Sequence, residues 1–309
     1  LPRMPWEGGF YISRTYPNIM LMGEVEGFRS LDGGKNWTKI NAWYDYYDNR
    51  SVNIHADLMS ISEYDTHLGS VIAISNHGGL STSYNNGSSF GNIGLTGLNV
   101  SQYYDVESYP DDPSIIFCGS QDQGLQRTLD LNEGPAYFDQ IISGDYGHLT
   151  FTNNDKSLWT VFPGGWVSYY DAPLSSQNNS YSAFFDLENG TESIWIPPIT
   201  ASPYNHNAVI LAGGNLNGSE AAHLIELKID DLGKLNATQL PHNFRTSGGE
   251  ISAMAYNNFN ASEFYVLTSN GKFFKSTNSA RHFTEKDNGL SDAHYLYGSS
   301  ILSSKKNQN

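Results

Sequence analysis

The chain has 309 residues, 39% of them hydrophobic, enough to bury the core of one large domain or two smaller ones. With 32 Asp and Glu against 17 Lys and Arg the net charge is −15, so the basic footprint of a nucleic-acid binder is missing and polyanionic partners are disfavoured. No apolar stretch approaches the roughly 20 residues of a membrane-spanning helix, so no membrane insertion is expected.

In chain order, an inner strand is expected near Gly9-Phe10-Tyr11-Ile12. The first strong signal follows, Ser30-Leu31-Asp32-Gly33-Gly34-Lys35-Asn36-Trp37. Small and Asx residues hold such a hairpin in a tight bend while the terminal aromatic folds back over it. The pattern returns at Ser83, Asn85, Gly87 and Phe90, and again at Ser276, Asn278, Ala280 and Phe283. These copies start 53 and then 193 residues apart, and 193 is close to four periods of about 48. Degenerate copies belong between them, and polar turns occur near the expected places at Thr128-Leu129-Asp130, Ser176-Gln177-Asn178 and Lys228–Gly233.

Each period divides into four short strands. The second reads Leu58–Ser62, Ser70–Ile74, Gly79–Ser83 and Phe90–Ile93; the sixth reads Ile251–Tyr256, Glu263–Thr268, Lys272–Ser276 and His282–Glu285. No run carries apolar residues at helical spacing, so no helix is expected. The fold class is therefore all-β, a β-propeller of six to seven four-stranded blades with the repeated bend between third and fourth strands. Tyr297–Leu302 reads as the first strand of a seventh blade. Residues 1–309 are thus taken as a single propeller, cut from a longer chain with its last blade incomplete. Cys118, the single cysteine, reads as a strand filler in Ser114–Cys118. Sequons such as Asn36-Trp37-Thr38 and Asn260-Ala261-Ser262 are numerous in a chain this rich in Asn and Ser.

The bends, together with Asn76-His77-Gly78-Gly79-Leu80, Gly119-Ser120-Gln121-Asp122-Gln123-Gly124 and Gly144-Asp145-Tyr146-Gly147, resemble the secreted bacterial Asp-box (BNR repeat) propellers. That group is related in fold to the sortilin-type propeller, the xyloglucanases and the sialidases. The likeness covers most of residues 25 to 290 and is most specific from His55 to Gly147. It implies a secreted or cell-surface location and a place in a larger assembly. Two departures stand out: His55-Ala56-Asp57 runs into Leu58-Met59 where the family often has a second His, and His77 replaces the Asp of Asn-Asp-Gly-Gly.

Chain direction locates the candidate site. In a four-stranded blade the loop between strands two and three shares a face with the loop entering the next blade. Asn76-His77 and Gln121-Asp122 fall in the first kind, His55-Ala56-Asp57 and Asp145-Tyr146 in the second. One face thus collects His55, Asp57, His77, Asp122 and Asp145 as candidate ligand-binding residues. Trp43, Tyr46 and Trp166 join them as aromatics suited to a sugar face or a protein interface. Asp57, Asp122 and Asp145 are also the candidates for paired catalytic carboxylates, and nothing in the sequence selects a pair. The bland alternative is that these Asp and Asn residues cap turns and join neighbouring blades.

The residues Ser30, Asp32, Gly34, Trp37, Ser83, Asn85, Gly87, Phe90, Ser276, Asn278 and Phe283 are read as structural. No metal-ligand motif and no cofactor loop is present, although several carboxylates facing a channel suit a hard cation such as calcium. A sialidase needs an arginine triad; only seven Arg exist, and Arg29, Arg127 and Arg281 sit beside the bends. The expected function is a binding or structural module for a protein partner, another segment of the same polypeptide, or a polysaccharide. The alternative is a glycoside hydrolase of xyloglucanase type.

Overall fold

Alternating strands broken by Gly, Asn and Asp can satisfy their backbone hydrogen bonds by pairing each strand with the next. The computed structural model has this arrangement throughout; it describes residues 8–67, 69–95, 101–129, 136–175, 183–185, 193–216, 221–287, 300–304 and 306. Six sheets are present among these residues. Each has four strands in chain order, and all neighbours are antiparallel.

The chain divides into two compact units. The first runs up to Gln102 and adds Gln121–Gln123. It holds the sheet β1 (Phe10–Ile12), β2 (Met20–Gly23), β3 (Gly27–Ser30) and β4 (Thr38–Lys39), then the sheet β5 (Ser60–Thr66), β6 (Gly69–Asn76), β7 (Gly79–Ser83) and β8 (Gly91–Asn92). Its core is Tyr11, Leu21, Ile54, Leu58, Ile61, Ile72, Ile74 and Phe90.

The second unit holds four sheets. They are β9 (Tyr103–Tyr109) to β12 (Asp139–Ile142) through β10 (Asp112–Ser120) and β11 (Gly124–Thr128); β13 (Leu149–Thr152), β14 (Ser157–Phe162), β15 (Trp166–Tyr170) and β16 (Ala183–Phe185); β17 (Ile199–Ala201), β18 (Ala208–Ala212), β19 (Leu224–Ile229) and β20 (Leu235–Gln239); and β21 (Ile251–Asn257), β22 (Asn260–Thr268), β23 (Phe273–Ser276) and β24 (Thr284–Lys286).

Strand β18 explains how these sheets stack. All five of its residues are buried. Because successive side chains point to opposite faces, Val209 and Leu211 enter a core with Trp159, Val167 and Tyr169 of the preceding sheet. Ile210 and Ala212 enter another, with Met254, Phe264 and Val266 of the following sheet. Burying each Val, Leu or Ile side chain is worth about 1.5–3 kcal/mol, so this sheet is held on both faces.

The repeated bends join β3 to β4, β7 to β8 and β23 to β24, and they share one hydrogen-bond pattern. Ser30 Oγ donates to Asp32 Oδ1 at 2.9 Å, as Ser83 does to Asn85 and Ser276 to Asn278. The same Asx oxygen accepts from a backbone N–H four residues on, at Asn36, Ser89 and His282, each at 2.9 Å. Two consecutive residues then take positive φ: Gly33 and Gly34, Asn86 and Gly87, Ser279 and Ala280. Hydrogen bonds from Asn36, backbone and side chain, hold the Asp32 carboxyl down at about 2. Trp37 Nε1 donates to Gly34 O at 3.0 Å, while Phe90 is buried in the core of the first unit and Phe283 in a core of the second. Of the three weaker turns, Asp230 lies between β19 and β20 and its Oδ1 accepts from Leu232 N and Lys234 N. Asp130 and Ser176–Asn178 lie outside the described residues.

Three expectations need correction. The strand placed at Leu58–Ser62 begins at Ser60, because the Leu58 amide is taken by Glu24 O, 2.7 Å away. Among the described residues there is also one α-helical turn, α1 (Asp45–Asp48), along with short 3-10 turns at Ile93–Leu95 and Phe244–Ser247. Asp45 Oδ2 accepts from Ala42 N at 2.9 Å, tying the segment just before the turn to its first residue. Finally, 300–302 form no strand, and Tyr297 lies outside the described residues; Asn258 instead donates its side-chain N–H groups to Ser303 O and Ser304 O.

Candidate functional site

In the first unit three loops converge. Residues 55–57 precede β5, residues 77–78 join β6 to β7, and Gln121–Gln123 complete the unit. Two of the loops are tied to flanking segments, Asp57 N donating to Val25 O at 3.1 Å and Gln121 N to Gln102 O at 2.9 Å, and the third is tied to the first, His77 N donating to Ala56 O at 3.3 Å. Gly78 allows the approach, since a Cβ there would stand 2.4 Å from His55 Cβ. Asp57 and Asp122 both adopt left-handed backbone, φ 64° and 56°, a conformation in which Asp and Asn are enriched among non-glycine residues.

The side chains meet at the His77 ring. His77 Nδ1 lies 3.0 Å from Asp57 Oδ2 and 2.5 Å from Asp122 Oδ2. All three side chains are about a fifth exposed (21–23%), so the cluster is open on one side. Behind it, His55 is buried (3% exposed). Burial pushes its pKa below the ordinary histidine value, against smaller upward pulls from Ala56 O and the Asp122 charge. Tyr47 OH bridges the backing layer to the cluster, 3.4 Å from His55 Nε2 and 3.3 Å from Asp122 O.

The aromatic candidates separate. Trp43 is about half exposed, stands edge-on to Tyr44 with centroids 5.7 Å apart, and donates its backbone N–H to Glu26 Oε1 at 3.2 Å. The segment 24–26 therefore carries both Trp43 and, through Val25 O, Asp57. Tyr46 is corrected: it is fully buried, its ring 4.5 Å from that of His55, and it supports the site from beneath instead of meeting a ligand. The residue that sequence reasoning missed is Tyr47. Its phenol reaches the cluster because the helical turn sends adjacent residues in different directions, and no periodicity in so short a turn announces this.

Asp145 and Trp166 belong to the second unit. Asp145 Oδ1 accepts from Tyr104 OH at 3.3 Å, and Tyr104 packs edge-on to the exposed Trp195 with centroids 5.6 Å apart. Trp166 is half exposed and leans on Phe162, which in turn meets Tyr146 edge-on. Tyr104 and Trp195 were not among the candidates; they lie in segments without any repeated motif.

No protein-family model and no curated protein sequence matches the chain. Among solved structures, the chain is similar to the Cps50 (Swd1) β-propeller domain of Myceliophteria thermophila, at 11% identity and a TM-score of 0.45, over 92% of this chain and 87% of that one. It is also similar to YCF48 of Cyanidioschyzon merolae (11%, TM-score 0.43, 96% and 90%). A third is the GH74 xyloglucanase of Xanthomonas campestris (11%, TM-score 0.42), of which the chain spans 45% while 89% of this chain is covered.

Proposed function

We propose that the chain is a β-propeller of six four-stranded blades that serves as a secreted or cell-surface binding module, recognising a glycan or protein ligand through the loops around Asp57, His77 and Asp122. The observation that carries this reading is that segment 24–26 accepts the backbone N–H of both Trp43, in the exposed Trp43–Tyr44 pair, and Asp57, in the acid–imidazole cluster. Exposed aromatics and carboxylates anchored to one segment suit a sugar ring, stacked on one side and hydrogen-bonded through its hydroxyls on the other. It also suits a protein anchor.

The hydrolase reading is weaker for these residues. Asp57 and Asp122 offer oxygens within 4.8 Å of one another and share one imidazole. Retaining glycosidases separate their carboxyl groups by about 5–5.5 Å and inverting ones by more, with one group kept protonated.

A glycan array combined with a polysaccharide-hydrolysis assay and partner recovery tests the proposal. Binding without products, reduced about tenfold or more by Trp43→Ala and Asp57→Asn with unchanged melting temperature, supports the module. Oligosaccharide products abolished by Asp57→Asn would favour the hydrolase. If neither variant alters any glycan signal or the recovery of any co-purifying protein, the surface has been misassigned.

A further inference from the structure

We infer that Asp57, His77 and Asp122 bind one divalent cation of the zinc or manganese class, through His77 Nδ1 and one oxygen of each carboxylate. The three donor atoms lie within 4.8 Å of one another, a span that one ion can bridge. Donors about 2.1 Å from a shared ion are separated by about 3.0 Å at adjacent octahedral positions and about 3.4 Å at tetrahedral ones. His77 Nδ1 and Asp57 Oδ2 already stand 3.0 Å apart, and the 2.5 Å to Asp122 Oδ2 opens with a small side-chain movement.

The imidazole cannot donate a hydrogen bond to both carboxylates at once. Nδ1 carries at most one proton, and two carboxylate oxygens compete for it. A cation meets all three lone pairs at once. The imidazole decides the class: calcium and magnesium take oxygen ligands, whereas a mixed imidazole and carboxylate set suits zinc, iron or manganese. This departs from the calcium expectation drawn from carboxylates alone.

The donors also come from three loops held by backbone hydrogen bonds, those of Asp57 and Asp122 to flanking segments and that of His77 to the Asp57 loop through Ala56 O, and Tyr47 OH holds the Asp122 carbonyl from behind. The side chains' partial exposure leaves a coordination position open toward solvent. On the binding reading above, that position faces the ligand, and an ion there would meet a hydroxyl or carboxylate oxygen. The inference rests on that reading for its purpose, but its test uses the metal alone, so each can fail separately.

The full chain, stripped with chelator, is titrated calorimetrically at neutral pH with zinc chloride, manganese chloride and calcium chloride in turn. One equivalent of zinc or manganese is expected to bind at least about tenfold more tightly than calcium, and His77→Ala or Asp122→Asn each to weaken it by about a hundredfold. Cobalt(II) bound in its place should give visible d–d absorption bands that His77→Ala abolishes. Asp122→Asn is close to isosteric and carries the comparison if His77→Ala fails to fold. The inference is overturned by no binding, by calcium binding as tightly as zinc and manganese, or by unchanged affinity in folded Asp122→Asn.

Discussion

Gly78→Ala tests whether the loop contact beneath His77 is as tight as the structure has it. The new Cβ would lie 2.4 Å from His55 Cβ and 2.9 Å from His55 Cγ, where an ordinary contact is at least 3.4 Å, so about 1 Å of movement is required. His55 cannot easily yield, because the Tyr46 ring packs edge-on against it and Tyr46 is itself fully buried. Overpacking of this kind costs about 1–3 kcal/mol. At about 2–4 °C per kcal/mol for domains of about 150–250 residues, and somewhat less for a longer chain, the melting temperature should fall by roughly 2–8 °C. Gly91→Ala is the matched control in the same sheet: a Cβ there meets nothing within 4 Å, and a shift below about 0.5 kcal/mol is expected. Both variants are compared with the parent by calorimetry. If Gly78→Ala melts with Gly91→Ala and the parent, the close approach of the two loops is not real, and the cluster built upon it loses its support.

Ser30→Ala removes the oxygen that accepts from Gly34 N at 2.9 Å and donates to Asp32, and should cost about 1–3 kcal/mol in chemical denaturation. Ser279→Gly should instead stabilise slightly, by at most about 1 kcal/mol, since Ser279 holds φ 62° where glycine has no Cβ penalty; a loss of more than that would contradict the strain assignment. Glu63 gives a pH signature. Burial pushes its carboxyl up, but hydrogen bonds from Ser70, Tyr11 and Arg14 outweigh this and hold it at about 2, against an ordinary 4.5. A depressed folded value contributes stability above about pH 4.5 that is lost as the pH falls toward 2, so the stability gap between parent and Glu63→Gln should shrink across that window in urea melts; a gap independent of pH would refute the assignment. Tyr47→Phe should leave the melting temperature within about 2 °C while weakening metal affinity several-fold, measured by the same titration.

The parts of this molecule that were legible in the sequence are those whose information is local. A Ser, an Asx two residues on and an aromatic five beyond that specify a bend through hydrogen bonds within eight residues, so the three strong turns fall between third and fourth strands where expected. The sixth repeat was read almost to its boundaries because its strands alternate cleanly, as in Glu263–Thr268 inside β22. Leu58 escaped because its amide is claimed by Glu24 from another sheet, a competition no local pattern records. The end of the chain escaped for the same reason: Ile301 and Leu302 look like a strand, yet Asn258 holds the following residues by side-chain bonds.

The site was half legible, and the division has a physical cause. Asp57, His77 and Asp122 announce themselves because each sits in a glycine-rich or irregular loop between strands, and loop position follows from chain direction. Which aromatic faces them does not follow. In an extended strand Tyr46 and Tyr47 would alternate sides, and the sequence does not decide which points outward. The helical turn Asp45–Asp48 fixes the outcome instead: the Asp45 carboxylate accepts from Ala42 N, its carbonyl accepts from Asn53 Nδ2 at 2.6 Å, and Tyr46 packs against the His55 ring. Tyr47 is then left beside both His55 Nε2 and the Asp122 carbonyl. A buried tyrosine supports a buried histidine, and a second tyrosine couples that histidine to the loop of Asp122. The cluster at His77 is thus held from behind by a four-residue turn, and loosening that turn should disturb the site before it disturbs the sheets.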